Sequence, residues 1–86
     1  MLDFERRIKR INDLKDKEIL TKGQAGFANT MLNCALSLDR NRRSLISTRG
    51  WRSEEQNEMM SRISDLLNAL DRYIDDQEKI YNSIPR

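Results

Sequence analysis

From Met59 onward the chain steps 4-3-4-3-4-3-4 through Met59, Ile63, Leu66, Leu70, Tyr73, Gln77, Ile80 and Ile84, of which all but Gln77 present an apolar surface. This is a heptad register, and a β-strand, whose side chains alternate with period two, has no use for it. Met60, Leu67, Ile74 and Tyr81 recur every seven residues beside it. The stripe therefore fills about three of every seven positions, the width of a bundle-core helix rather than of a narrow two-stranded zipper. Ser53-Glu54-Glu55-Gln56 has the form of a capping box with acids in the first turn, and Pro85 ends the pattern. At ~1.5 Å per residue the stripe is roughly 37 Å long.

Two shorter helical patterns precede it. Phe4, Ile8 and Ile11 share one face of a helix that Asp3 can cap, with Leu14 approximately continuing it. The other face carries Arg6, Arg7, Lys9 and Arg10. Lys15 to Glu18 are all charged and break the period, and Thr21-Lys-Gly-Gln24 then reads as a capping box that opens a second helix after a bend. Phe27, Met31, Cys34 and Leu38 step by 4, 3 and 4 along this helix, and Ala25, Ala28, Leu32, Ala35 and Leu36 broaden the face. Gly23, Ala25, Gly26 and Ala28 keep the first turns thin, as a tight helical corner or a docking helix requires. Ser47-Thr-Arg-Gly50 is the clearest loop signal.

The absence of Val and the presence of only three Thr agree with an all-α chain. The expected architecture is a single helical domain over residues 1–86, with helices at about 3–15, 22–46 and 53–84 and a loop at about 47–52. It is a small bundle: a short N-terminal helix packed across an antiparallel hairpin that contains the long heptad helix. A chain of 86 residues buries only about 60% of its unfolded surface, so self-association is the natural supplement. The surface expected to carry it is Met59, Ile63, Leu66, Leu70, Tyr73, Gln77 and Ile80, with Gln77 as the polar residue that sets register or faces water at a frayed end.

Charge is unevenly spread. Residues 1–52 carry a net +6 and residues 53–86 a net −4, within an overall +2. The richest cationic group is Arg40, Arg42, Arg43, Arg49 and Arg52 around Trp51, with only Asp39 as a nearby acid, and the second is Arg6, Arg7, Lys9 and Arg10. Guanidinium forks suit carboxylate and phosphate, and an aromatic among them is the residue type enriched at binding hot spots. An antiparallel hairpin also sets the basic half against the acidic helix, which pairs some of this charge internally.

Chemistry-bearing patterns are sparse. With no His, a Ser-His-Asp triad and the commonest metal ligand are missing. One cysteine, Cys34, makes neither an intrachain disulfide nor a cysteine-based zinc site, and it falls on an apolar stripe where a thiol is ordinarily inert packing. Asp71, Asp75 and Glu78 share a helix face but read as a solvated acidic strip rather than a metal site. Neither a catalytic site nor a cofactor is expected, and no apolar run reaches the ~18 residues of a membrane span. The reading is a cytoplasmic, non-enzymatic interaction module of bacterial or phage type, an adaptor, chaperone or inhibitor. It self-associates and docks through its basic surface on a larger protein or nucleoprotein partner with an acidic face. The alternative is a nucleic-acid-binding regulator that uses the basic N-terminal half and dimerises through the last helix.

Overall fold

The computed structural model describes residues 3–49 and 53–84, with side chains over 3–44 and 54–84. Three α-helices account for nearly all of it: α1 (Phe4–Asp16), α2 (Lys22–Arg49) and α3 (Ser53–Ser83). Helix α2 packs against both of the others. The molecule is a rod of 56 × 19 × 18 Å with a radius of gyration of 15.6 Å, against about 12 Å for a compact chain of this length.

Helix α1 starts where Asp3 accepts the Arg6 backbone N–H on Oδ1 at 2.9 Å. It ends in a Schellman turn. Ile19 N–H donates to the Leu14 carbonyl at 2.9 Å and Glu18 N–H to the Lys15 carbonyl at 3.0 Å. The residue that turns the chain is Glu18, in the left-handed region at φ 60°. Glycine holds this position without steric cost, whereas a residue with a Cβ loses about 1–2 kcal/mol there. Glu18→Gly is therefore expected to stabilise the fold by about 0.5–1 kcal/mol after glycine's greater unfolded-state entropy is deducted. Its melting temperature should rise by about 2–8 °C in a thermal scan, and an unchanged or lower value would contradict the turn.

The capping box at the start of α2 is reciprocal. Gln24 N–H donates to Thr21 Oγ1 at 3.1 Å, and Thr21 N–H donates to Gln24 Oε1 at 2.9 Å. The Gln24 side chain then donates from Nε2 to Gln77 Oε1 at 2.7 Å, tying the start of α2 to the end of α3. Gln77 thus has its partner within the chain. Helix α2 continues through residues 47–49, beyond the expected end near 46, so the loop signal at Ser47-Thr-Arg-Gly50 is mostly helical. The expected capping box at Ser53 rests on a side chain outside the described ones.

The core is built from Ile11 and Leu14 of α1, Leu20 of the turn, Ala25, Ala28, Leu32 and Ala35 of α2, and Ile63, Leu67, Leu70 and Ile74 of α3. The inward seam of α2 therefore steps through Ala25, Ala28, Leu32 and Ala35, not through Phe27, Met31, Cys34 and Leu38. Three alanines among those four positions let α2 lie close to both neighbours. Phe27 is 53% exposed and Cys34 is exposed, which corrects the expectation that the thiol is buried packing. Gly23 and Gly26 take no part in the close approach. A Cβ at Gly26 would meet nothing within 4 Å, and one at Gly23 only Thr21 Oγ1 at an ordinary contact distance.

Helix α1, about 20 Å long, spans less than half of the ~42 Å of α2. It covers one side of the hairpin at the end where α2 begins and α3 finishes. Among the described residues, no apolar side chain is fully buried beyond Ala35 on α2 or before Ile63 on α3.

Candidate functional site

Of the two predicted basic groups, Arg7, Arg10, Arg42 and Arg43 are engaged by acids of the same chain. On α1, Arg7 reaches across to α3 and grips Asp71 with both prongs, Nε to Oδ1 at 3.0 Å and Nη2 to Oδ2 at 2.8 Å. Its side chain is only 11% exposed. Arg10 bonds Asp75 and Glu78 through the same nitrogen. Burial works against its charge, but hydrogen bonds and attraction from these two acids outweigh that, and its pKa stands above the ordinary arginine value. The acidic strip Asp71, Asp75 and Glu78 is accordingly the counter-surface for α1. Arg6 and Lys9 remain exposed, Arg6 lying 3.8 Å from Asp3.

The bidentate pair is the stronger of these contacts because it is the better shielded. Asp71→Asn is expected to cost about 1.5 kcal/mol in urea unfolding, and an Arg7/Asp71 double-mutant cycle to give a coupling of about 1 kcal/mol. Arg10→Gln should cost less, below about 1 kcal/mol, since its contacts are more open to water. Equal losses at Arg7 and Arg10 would show that shielding does not set the difference.

At the other end, two of the five arginines of the predicted group, Arg42 and Arg43, converge on one acid. Arg42 donates from Nε and Nη2 to Asp39 Oδ1 at 3.2 and 2.9 Å, and Arg43 Nη2 lies 2.9 Å from Asp39 Oδ2. Asp39 is 3% exposed and follows Ala35 on the inward seam of α2, so it is a buried charge held by two local cations. No buried polar side-chain atom among the described residues lacks a hydrogen-bond partner. Arg40 is exposed. Arg49, Trp51 and Arg52 lie outside the described side chains. Asp71, held by Arg7, and Arg42 sit at different levels of the rod, roughly 18 Å apart along its axis at ~1.5 Å per residue, so the described members of the two cationic groups lie apart.

The expected self-association residues divide in two. Ile63 and Leu70 are fully buried inside the chain. Met59, Leu66, Tyr73 and Gln77 are half-buried, and Ile80 is 55% exposed. Met59, Leu66, Tyr73 and Ile80 repeat every seven residues on the flank of α3 turned away from Asp71, Asp75 and α1. On α2, Phe27 is exposed and Met31 and Leu38 are partly buried against the core. The Phe27 and Tyr73 rings meet with centroids 4.9 Å apart and planes at 59°. One side of the hairpin is covered by α1; on the other, Phe27 and Ile80 are exposed, and Met31, Leu38, Met59, Leu66 and Tyr73 are partly buried against the core.

A further surface has a signal in the sequence that apolar periodicity passes over. Gly23 to Leu38 contains no Asp, Glu, Lys or Arg, in a chain that is 35% charged. Only one stripe of this stretch is buried; Gly26, Phe27, Thr30, Asn33, Cys34 and Ser37 are exposed. Thr30, Asn33, Cys34, Ser37 and Leu38 line a shallow depression of ≈ 470 Å³. No helix of the described residues is long and apolar enough to cross a membrane.

Comparison with protein-family models, with curated proteins and with solved structures finds no match to this chain.

Proposed function

We propose that the chain is a non-enzymatic helical interaction module, which self-associates and docks on a larger macromolecular partner as an adaptor, chaperone or inhibitor. One observation carries the reading: the apolar side opposite α1, formed by Phe27, Met31 and Leu38 of α2 with Met59, Leu66, Tyr73 and Ile80 of α3. A monomer this small seldom leaves such a contiguous strip to water unless another surface covers it. Arg6, Lys9 and Arg40 stay outward and supply the complement for an acidic partner. The nucleic-acid alternative is less well supported, because Arg7, Arg10, Arg42 and Arg43 already answer acids of the same chain.

The test is co-purification from the native host with three forms of the chain: unaltered, Leu66→Lys on the apolar side, and Arg6→Glu with Arg40→Glu on the basic surface. A specific partner lost with one variant and kept with the other supports the module and identifies the face used. A chain that stays monomeric and captures nothing, yet binds random duplex or single strands with steep salt dependence, is a nucleic-acid binder instead.

A further inference from the structure

We propose that the uncharged outer face of α2 is the self-association surface, and that its occupant is a second copy of this chain lying antiparallel on it. Phe27 of each copy then seats in the depression beside Cys34, Ser37 and Leu38 of the other. This rests on the reading of the chain as an interaction module and names the first partner.

Two features of the face select that occupant. The first is its lack of charge. A docked helix would desolvate any cation or carboxylate opposite Thr30, Asn33, Cys34 and Ser37 without a counter-ion to receive it. A chain so rich in charge offers a matching neutral surface in the same sixteen residues of a second copy. The second feature is shape. A large ring projects at one end of the face, at Phe27, while the shallow depression runs from three to eleven residues further along, centred near Cys34. A twofold axis at the level of Leu32 brings each ring to the other copy's depression, so both contacts form at once, as an isologous interface requires. Parallel packing would leave ring against ring and depression against depression.

Along α2 the face is roughly 24 Å long, and it is bordered beside Phe27 by the Tyr73 ring of α3. Helix α1 lies on the other side of the hairpin and keeps Arg6 and Lys9 open in the pair.

The experiment is sedimentation equilibrium on the full chain, unaltered and carrying Phe27→Glu or Ser37→Arg, from micromolar to sub-millimolar concentration. Both changes fall on exposed positions, so the helical circular-dichroism signal should hold; Phe27→Asp or Ser37→Lys serves in place of its counterpart should either fail this check. The unaltered chain should form a dimer, and each variant should raise the dissociation constant at least about tenfold. Mixing the Phe27→Glu and Ser37→Arg chains should restore a heterodimer. The carboxylate introduced on one copy then faces the guanidinium introduced on the other, while the second ring-to-depression contact stays intact. A monomer at every concentration, a dimer that survives both substitutions, or a mixture that yields no heterodimer would each overturn the proposal. A monomeric chain that still captures a partner lost with Leu66→Lys would overturn the twofold pair and leave the interaction module standing.

Discussion

Leu70→Asp is expected to unfold the chain, whereas Leu66→Asp should leave it folded. The two leucines are four residues apart in the same predicted seam, and sequence pattern treats them alike. Leu70 is 0% exposed among Ile63, Leu67 and Ile74, while Leu66 is half-buried on the flank away from α1. A carboxylate at Leu70 has no cation within the core to meet it and costs several kcal/mol. A single small core supplies only about 3–5 kcal/mol in total, so the native state is exhausted. At Leu66 the new carboxylate keeps contact with water, and the expected cost is about 1 kcal/mol. Far-UV circular dichroism with urea titration separates the two. Should Leu66→Asp unfold as completely as Leu70→Asp, the inward centre of α3 would lie at Leu66, about a fifth of a turn from the seam through Leu67 and Leu70.

That contrast marks how far the sequence can be read. Helix type, number and order follow from periodicity, and the Asp3 cap and the Thr21–Gln24 box follow from short-range chemistry with the partners the pattern implies. Orientation about each helix axis does not. Helix α2 carries two stripes, and the more apolar one, through Phe27, Met31 and Leu38, looks like the core. The alanine stripe wins because α2 must lie close to two neighbours at once, and close approach favours small side chains over greater apolar area. On α3 the buried centre moves toward Leu67 and Ile74 because α1 docks on the side of Asp71, Asp75 and Glu78, a choice made by Arg7 and Arg10 across more than sixty residues. The turn at Glu18 has no glycine to announce it. The basic site is visible as composition only: whether an arginine faces a partner or an acid of its own chain depends on rotamer and register, and both Arg42 and Arg43 turn to Asp39.

Ile11→Ala is expected to cost about 3 kcal/mol and to release α1. A helix of 13 residues is marginal in isolation, so α1 exists because it is docked. Ile11 is its one fully buried side chain, with Leu14 7% exposed three residues on and Phe4 and Ile19 only partly covered. Truncation removes three carbons where α1 meets the alanine seam, and the cavity term adds to the transfer term, placing the loss within the usual range of about 2–5 kcal/mol for Ile→Ala. The ion pairs cannot compensate, because Arg7 and Arg10 reach α3 only from a helix already seated by Ile11. Hydrogen exchange should therefore show amides of Phe4–Asp16 losing protection first, with Ala25 to Leu32 following as their cover leaves. Arg7→Met is the control: it keeps the apolar anchor, loses the bidentate bond to Asp71, and should cost about half as much with α1 still protected. If Ile11→Ala costs less than Arg7→Met, the first helix is held by its charges, and its attachment should then weaken steeply with added salt.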